Sequence, residues 1–216
     1  MPSRAYHEAL WKTAPIGVSP PEFALRREFL LENVAAGEHV LDVGCGEGWF
    51  AAELARAGAS VVGLDVAEEP LRRARQAEMQ RSPSGGQPGL DLRLIDADQP
   101  WPLQDASFDV VWAGETIEHV ADTAGWLSEA RRVLKPGGRL LLSTPDHGRL
   151  SVLWLALSRR AFEAHFDPLA DHLRFYTRAN LTRLLGEFGF RDVALRAAAG
   201  PPARRLLLAR AVRARW

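Results

Sequence analysis

The sequence predicts an α/β fold in which helices cover both faces of a doubly wound, parallel sheet. Three observations lead to this prediction. Short apolar segments alternate with longer amphipathic ones over the first two thirds of the chain, which is typical of parallel strands joined by helices. The segment 108–113 is apolar almost throughout, as expected of a strand buried on both faces. The apolar segment 39–43 leads into Gly44, Gly46 and Gly48 and then into a helical pattern, so a turn with free backbone N–H groups follows a buried strand.

The composition is that of a soluble globular protein without a dominant charge. Of the 216 residues, 47% are hydrophobic and 25% are charged, and the formal net charge is zero, so no global field favours nucleic acid or an anionic membrane. Cys45 is the single cysteine, which excludes an intrachain disulfide and indicates a reducing compartment. The sequence has no signal pattern and no apolar run of the ~18–20 residues that a membrane span needs, so we expect a cytoplasmic protein.

The individual elements are predicted from apolar spacing and from the residues that interrupt it. Proline is tolerated in the first turn of a helix, so the second helix is expected to begin at Pro20 or Pro21. Gly58 is expected to end the helix that follows the glycine turn. In chain order, the predicted elements up to residue 143 are helix 3–12, helix 20–36, strand 39–43, helix 47–57, strand 60–64, helix 67–80, loop 82–89, strand 91–95, strand 108–113, helix 122–134, turn 135–138 and strand 139–143.

After residue 144 the pattern loosens. The segment 150–166 is predicted as one apolar, helix-like piece that caps the site. Thr177 is predicted to cap a helix that ends at Phe188. The segments 193–197 and 206–212 are predicted as two late strands that form a hairpin at the edge of the sheet.

The glycine turn and two acidic residues predict a nucleoside site. The three glycines are one residue more closely spaced than the dinucleotide-binding fingerprint requires. Asp65 ends the second strand, where a carboxylate accepts hydrogen bonds from both ribose hydroxyls, and Asp96 ends the third, where it can accept from the exocyclic amine of adenine. This arrangement suits a nucleoside without a pyrophosphate. An ordinary tight turn and a site for NAD stay open as alternatives.

Five ordered segments resemble the motifs of class I S-adenosylmethionine-dependent methyltransferases. They are 40–48 (VLDVGCGEG), 63–65 (GLD), 96–97 (DA), 108–111 (FDVV) and 134–140 (LKPGGRL). Within that class the chain resembles the bacterial group that includes the ubiquinone-biosynthesis-type methyltransferases, a likeness that extends to 172–177 and 184–190. The resemblance implies a Rossmann-like, seven-stranded, mostly parallel sheet whose last strand is antiparallel, with a small helical cap. It also implies S-adenosylmethionine as donor and S-adenosylhomocysteine as product.

The same resemblance assigns residues to the donor. Those at its methionyl part and sulfonium are Asp42, through water, the turn residues Gly44, Cys45, Gly46 and Gly48, and Ala113 and Gly114 after the fourth strand. Those at its nucleoside are Asp65 on the ribose, Val66 over the adenine, and Asp96 with the N–H of Ala97 at the adenine edge. Cys45 is interpreted as a small packing residue of the turn rather than as a nucleophile.

Acceptor chemistry is expected in the segment that follows the fourth strand. Glu115, Glu118 and His119 are spaced i, i+3 and i+4, so on a helical turn they share one face. Three interpretations stay open: local hydrogen bonds that shape the site, His119 as general base for an acceptor hydroxyl, or a divalent metal held with His172 or His147. The catalytic candidates are therefore His119, Glu115 and His147.

The metal interpretation rests on a second resemblance. The pattern Glu-x-x-Glu-His at 115–119, followed by Asp171-His172, resembles the metal-dependent 3′-terminal small-RNA 2′-O-methyltransferases. The same pattern is common among small-molecule methyltransferases, and the zero net charge ranks RNA second. The predicted function is methyl transfer to an oxygen, nitrogen or carbon of a small molecule, with no metal required. The alternatives are the RNA methyltransferase, an NAD-binding oxidoreductase and a non-catalytic S-adenosylmethionine-binding protein.

The whole chain, 1–216, is predicted as a single methyltransferase domain, either a monomer or a homodimer. Its predicted parts are N-terminal helices at 1–36, a donor-binding core at 37–145, a cap and acceptor region at 146–176, and a C-terminal helix with strands at 177–216. In the cap, Trp154, Phe162 and Phe166 are candidates to line an apolar acceptor pocket. The segment 204–210 suggests either a basic membrane-surface tail or the last strand, and the resemblance favours the strand.

Overall fold

The computed structural model describes residues 4–81, 90–95, 99–167, 171–198 and 206–215, so the predicted loop 82–89 lies outside it. Within those ranges, helices and strands alternate as the sequence predicts. In chain order they are α1 (Arg4–Thr13), α2 (Phe23–Asn33), β1 (His39–Val43), α3 (Trp49–Arg56), β2 (Ser60–Asp65), α4 (Glu68–Arg81), β3 (Leu90–Leu94), β4 (Phe108–Gly114), the 3₁₀ turn Ile117–His119, α5 (Thr123–Val133), β5 (Leu134–Pro145), α6 (Arg149–Ala156), α7 (Arg159–His165), α8 (Arg178–Glu187), β6 (Phe190–Ala198) and β7 (Leu206–Arg213).

The strands form one seven-stranded sheet in the order β3-β2-β1-β4-β5-β7-β6. The first five pair in parallel, and β7 is antiparallel to both β5 and β6. The predicted seven-stranded sheet with an antiparallel last strand is therefore confirmed, and so is the late hairpin at its edge. The strand order reverses between β1 and β4, and ligands of open α/β sheets bind outside the carboxyl ends of the strands at such a point.

Helices cover both faces of the sheet, because neighbouring residues of one strand belong to two different core clusters, one on each face. Leu41 of β1 lies in one core cluster with Leu127 of α5 and Leu181 of α8. Its neighbour Val40 lies in a second cluster with Leu54 of α3. All five side chains are fully buried. Burial of one such side chain stabilises the fold by about 1.5–3 kcal/mol, so these two layers fix the strand ends that carry the site.

The predicted turn at 135–138 is wrong. β5 already begins at Leu134 and continues through these residues. Leu134 pairs with Phe108, and the next pair joins Arg139 to Val110, so residues 135–138 bulge out of the ladder. One of the two glycines in the bulge has a φ of +83°, which glycine adopts readily. The glycine-rich segment therefore bends a strand and does not end one.

The prediction of one helical piece over 150–166 is also wrong. The segment forms two helices, α6 and α7, which are separated at Leu157 and Ser158. The side chain of Ser158 accepts a hydrogen bond from the N–H of Ala161 at 3.3 Å, so it caps the first turn of α7. By contrast, the N-cap predicted at Thr177 is confirmed, because its hydroxyl accepts a hydrogen bond from the N–H of Asn180.

From residue 206 on, the basic C-terminal segment is a strand and not a membrane-surface tail. Residues 206–208 are buried in β7, where they pair with β5 on one side and β6 on the other. Arg204 and Arg205 lie outside the described residues. Among the helices in the described ranges, none has both the length and the apolar character that crossing a bilayer requires.

Candidate active site

The turn after β1 has a shape that glycine adopts readily. Its three glycines have φ values of +73°, +54° and +72°. The N–H groups of Gly44 and Cys45 both donate to the carbonyl of Leu64, at 2.8 and 3.0 Å, and so tie the turn to the end of β2. A Cβ at position 44 would lie 2.5 Å from Oγ1 of Thr116. The turn thus packs closely against the segment that follows β4.

Asp65 braces the same turn from the end of β2. Its two carboxylate oxygens accept hydrogen bonds from the N–H groups of Gly46 at 2.8 Å and Ala67 at 2.9 Å. Burial raises the pKa of Asp65, and these backbone donors oppose the increase. Each oxygen keeps a further lone pair, so Asp65 can accept hydrogen bonds from a diol while holding the turn in place.

Asp42 lies beneath the turn and is almost completely buried. Its Oδ2 has no hydrogen-bond partner in the structure. Burial and then the charge of Asp65 raise the pKa of Asp42 to about 7. An orphaned acceptor at this depth is expected to bind an ordered water or a ligand group, which fits the water-mediated role that the sequence predicts.

Cys45 packs where the sequence predicts, although a role toward the donor stays a prediction. Its Sγ would lie 2.9 Å from a Cβ at Gly63, so Cys45 packs directly on the glycine of β2. Burial raises the pKa of the Cys45 thiol well above its usual range. The thiol is therefore neutral near pH 7, and a nucleophilic role is unsupported.

A cavity of about 720 Å³ opens beside the turn, at the carboxyl ends of β1, β2 and β4. Its size is in the range of small-molecule sites. Predicted site residues that line it are Gly44, Asp65, Val66, Glu115 and His119. The rest of its lining comprises His7, Leu10, Trp11, Val43, Leu64, Ile95, Gln99, Pro100, Trp101, Thr116, Val120, Ala121, Asp122, Gly125, Trp126, Ser128, Glu129 and Asp171. One cavity lining thus combines the glycine turn with titratable side chains.

Helix α1 forms one wall of this cavity, held by hydrogen bonds and not by buried side chains. No residue of α1 is buried. The Trp11 ring would lie 3.0 Å from a Cβ at Gly46. The Arg73 guanidinium donates to the carbonyls of Trp11 at 2.5 Å and Ala14 at 3.2 Å, and the Glu8 carboxylate accepts from the N–H of Glu68 at 2.9 Å. The sequence pattern predicts this helix but gives no sign that it reaches the site.

Glu115 does not share a helical face with Glu118 and His119, so that expectation is wrong. It has a φ of +54°, and the 3₁₀ turn begins only at Ile117. Oε1 of Glu115 instead accepts a hydrogen bond from the hydroxyl of Ser143 at 3.0 Å. Burial raises its pKa, which the charge of Arg26 opposes. Glu115 therefore faces the cavity from the end of β4, outside the 3₁₀ turn, although it remains close enough for its charge to raise the pKa of Glu118.

Glu118, His119 and His172 come together next to the cavity. One ligand atom from each lies within 4.8 Å of the other two, and no other such group of three occurs among the described residues. Glu118 is fully buried and accepts from the hydroxyl of Thr144 at 3.0 Å, while its Oε1 has no partner in the structure. Nδ1 of His119 lies 3.0 Å from the carbonyl of Asp171. Burial lowers the pKa of both histidines and raises that of Glu118.

Several other predicted residues lie outside the cavity lining, and their roles stay predictions. They are Asp42, Cys45, Gly46, Gly48, Ala113, Gly114, Glu118, His147 and His172. His147 bonds through Nε2 to Nε2 of His165 at 3.2 Å. Asp96 and Ala97 are outside the described residues. Trp154, Phe162 and Phe166 are exposed, so the expectation that they line the acceptor pocket is not supported by this cavity.

Sequence reasoning missed the residues that reach the cavity from far along the chain. His7 and Asp171 are separated by most of the sequence, yet both line it, and the charge of Asp171 acts on both His7 and His119. Trp126 has the spacing of a core residue and is one, but it also forms a wall with Trp101 at a centroid distance of 5.7 Å. The only sequence signal at these positions was a titratable or aromatic side chain, and such side chains also occur at many positions far from any site.

Comparison with known proteins decides the family. A family model described as a methyltransferase domain matches residues 20–195. The chain belongs to the class I S-adenosylmethionine-dependent methyltransferases. A ubiquinone biosynthesis O-methyltransferase of Aliivibrio fischeri is 31% identical over 173 residues, which is 78% of this methyltransferase and 71% of the relative. A protein of the same description from Pseudomonas paraeruginosa is 41% identical over 122 residues, 56% of this chain and 50% of the relative.

The methyltransferase spans about half the length of the first curated relatives that it matches. Solved structures agree with its fold. The YcgJ protein of Bacillus subtilis has a TM-score of 0.69 at 16% identity and covers 88% of this chain and 99% of its own. Magnesium protoporphyrin IX methyltransferase of Synechocystis PCC 6803, solved with S-adenosylhomocysteine, has a TM-score of 0.68 at 21% identity over 96% of this chain and 84% of its own.

Proposed function

We propose that this methyltransferase transfers the methyl group of S-adenosylmethionine to a hydroxyl oxygen of a small-molecule acceptor. The observation that carries the proposal is the single cavity that joins the glycine turn and Asp65 to His119 and Glu115. Oxygen is favoured over nitrogen and carbon because the relatives that cover most of the chain are described as O-methyltransferases.

The residues of the turn fit such a donor. Asp65 offers free lone pairs to a ribose diol, and the orphaned Oδ2 of Asp42 offers an acceptor below the turn. Gly44 leaves room where a side chain would meet Thr116. When bound, the donor supplies a methyl carbon activated by the sulfonium. The chain then has to align the acceptor, exclude water and take one proton.

His119 is suited to take that proton. A carbonyl only accepts hydrogen bonds, so the contact with Asp171 places the imidazole proton on Nδ1 and leaves the lone pair on Nε2. Burial lowers the pKa of His119, which keeps the ring neutral near pH 7. As the oxygen–carbon bond forms and the carbon–sulfur bond breaks, the acceptor hydroxyl gives its proton to Nε2, and the product sulfur is left as a neutral thioether.

The cluster of Glu118, His119 and His172 also fits a divalent metal by its donor set, a carboxylate and two imidazoles. A metal there would polarise an acceptor oxygen. We propose that the reaction proceeds without it, with His119 as the base. Turnover at saturating donor should then survive prolonged treatment with a chelator. Loss of turnover that added Mg²⁺ or Zn²⁺ restores would instead assign the cluster to a metal and favour the RNA alternative.

The decisive experiment follows the methyl group. Donor with a labelled methyl is incubated with the protein and either the small-molecule fraction or the RNA fraction of a cell extract, with Asp65→Asn as the inactive control. Label in an ether of the small-molecule fraction is the expected result. Label only in RNA, or calorimetric binding of NAD without binding of S-adenosylhomocysteine, would overturn the proposal.

A further inference from the structure

His147 and His165 meet outside the cavity of the candidate active site. Their Nε2 atoms lie 3.2 Å apart, although the two residues are 18 positions apart in the chain. His147 follows the end of β5, and His165 is the last residue of α7. Neither lines the cavity, and neither belongs to the group formed by Glu118, His119 and His172. The proposed methyl transfer therefore uses neither member of this histidine pair.

The separation of the two nitrogen atoms matches that of two ligands on one metal ion. A bond from zinc to a histidine nitrogen is about 2.0–2.1 Å long, and two such bonds at the tetrahedral angle place their nitrogens about 3.3–3.4 Å apart. The observed 3.2 Å agrees with this value. A hydrogen bond between two imidazoles requires a proton on one Nε2, whereas a metal uses the lone pairs of both.

The rings of two phenylalanines pack against the histidine pair. Phe175 contacts His147 at a centroid distance of 4.9 Å and His165 at 5.6 Å. Phe166 contacts the edge of His165 at 4.9 Å. An apolar shell around metal ligands controls the access of solvent and lowers the local dielectric. The two imidazoles are therefore held together on their apolar side.

The backbone at His147 is fixed by hydrogen bonds. Its N–H donates to the carbonyl of Tyr176 at 2.8 Å, and the neighbouring Asp146 forms a bridge with Tyr176. The side of the pair that His165 forms is partly exposed, so an ion can enter from solvent. Burial lowers the pKa of both rings, and the charge of His172 acts in the same direction on each. Both imidazoles are thus neutral near pH 7, which is the form that binds metals.

We propose that His147 and His165 bind one divalent transition metal such as Zn²⁺, with water completing its coordination. Imidazole is a ligand of Zn²⁺, Ni²⁺ and Cu²⁺, whereas Mg²⁺ and Ca²⁺ prefer oxygen. The bound metal ties the end of β5 to α7 and closes the loop that contains α6. A link of this kind restricts the chain between its ends. The metal therefore orders the segment 148–165 and takes no part in methyl transfer.

The test is calorimetric titration of Zn²⁺ into the full chain, prepared without a histidine tag and freed of metal with a chelator. The wild type should bind Zn²⁺ at this site and should not bind Mg²⁺ there. His147→Gln and His165→Gln should each weaken the binding of Zn²⁺ at least about tenfold, because one of two protein ligands is lost. His39→Gln, at the exposed histidine that begins β1, is the matched control and should bind as the wild type does.

A second readout follows the backbone of α7. Zn²⁺ should slow hydrogen exchange in residues 159–165 of the wild type and leave it unchanged in His165→Gln. Circular dichroism and the unfolding temperature of each metal-free variant separate a lost ligand from lost folding.

The outcomes that overturn the proposal are distinct. One is a wild type that binds no Zn²⁺, and another is a folded His165→Gln protein that binds Zn²⁺ as tightly as the wild type. Binding that is lost in His119→Gln but kept in His147→Gln and His165→Gln would place the ion at the group of Glu118, His119 and His172 and would also overturn it.

Discussion

Asp42 and Asp65 lie near the ends of neighbouring strands and are both buried, but their hydrogen bonds differ. Asp65 has both oxygens paired with backbone N–H groups, and Asp42 has one oxygen without a partner. Burial raises the pKa of both, but backbone donors oppose it more fully at Asp65. Asp65 is thus equipped to hold the turn, and Asp42 to keep a proton or bind a ligand group.

The buried carboxyl of Asp42 predicts a pH-dependent stability. The folded pKa is about 7, and that of an unfolded aspartate is about 3.9. Between those values the folded protein holds a proton that the unfolded chain releases, so the free energy of unfolding falls as pH rises from about 4 to 7. Asp42→Asn does not titrate. The free energy of unfolding of Asp42→Asn relative to the wild type should therefore rise as the pH increases from about 4 to 7, by about 4 kcal/mol at most. Above pH 7 the difference should stay constant.

Urea unfolding of the ligand-free protein at several pH values measures this difference. Asp91→Asn, which removes an exposed carboxylate of β3, is the matched control. A difference between Asp42→Asn and the wild type that is the same at pH 4 and pH 7 would contradict the assignment of a buried, protonated carboxyl.

If His119 is the general base, its removal should lower the rate of methyl transfer without lowering the affinity for the donor. His119→Ala should lower donor-saturated turnover by about 10²–10⁴, the usual contribution of a general base, and leave the affinity for S-adenosylhomocysteine unchanged. The wild-type rate should fall as acid protonates the ring, at a pH below the ordinary histidine pKa of about 6.5, because burial lowers the pKa of His119.

His39→Ala, at an exposed histidine that begins β1, is the control and should keep the full rate. A variant at position 119 that retains the acid limb of the wild-type pH profile would show that another group is the base.

At the scale of single elements, the glycine turn is the part most sensitive to a small substitution. Gly44→Ala should lower the free energy of unfolding by about 1–3 kcal/mol, because the residue has a positive φ and its Cβ would clash with Thr116. Gly186→Ala, in the last turn of α8 with open space around it, should raise it by at most about 0.5–1 kcal/mol. Chemical unfolding of both variants measures the contrast, and equal effects would rule out strain in the turn.

Arg73 ties the end of helix α1 to α4. Arg73 and Arg72 both pair with Glu69, but only Arg73 also reaches the carbonyls of Trp11 in α1 and of Ala14 just after it. Arg73→Gln should therefore speed hydrogen exchange in the backbone of residues 4–14 and weaken donor binding, since α1 walls the cavity. Arg72→Gln should do neither. Unchanged exchange in Arg73→Gln would mean that Glu8 and Trp11 hold the helix without it.

At the scale of the whole molecule, donor binding should couple to folding. A ligand that binds the folded state alone, at a hundredfold excess over its Kd, stabilises by about 2.7 kcal/mol, which is roughly 5–10 °C for a chain of this size. S-adenosylhomocysteine should raise the unfolding temperature by that amount. NAD should not, and neither ligand should stabilise Asp65→Asn. A rise with NAD alone would point to the oxidoreductase alternative.

Much of this architecture is encoded locally and could be predicted. The predicted bounds of β1 agree with the observed bounds, and Thr177 caps α8 as expected. The errors have local causes too. Ser158 caps a new helix inside an apolar run, and a glycine-rich segment bulges within β5 because strand pairing holds it on both sides of the bulge.

By itself, the sequence determined the order of helices and strands, the glycine turn and the acid at the end of β2, because these depend on spacing and on backbone freedom along a few residues. Only the tertiary structure decided which side chains meet. It placed Glu115 outside the 3₁₀ turn that carries Glu118, through a positive φ, and it brought His7 and Asp171 to one cavity. Such convergence depends on strand register and helix packing between distant segments, and no local pattern records it.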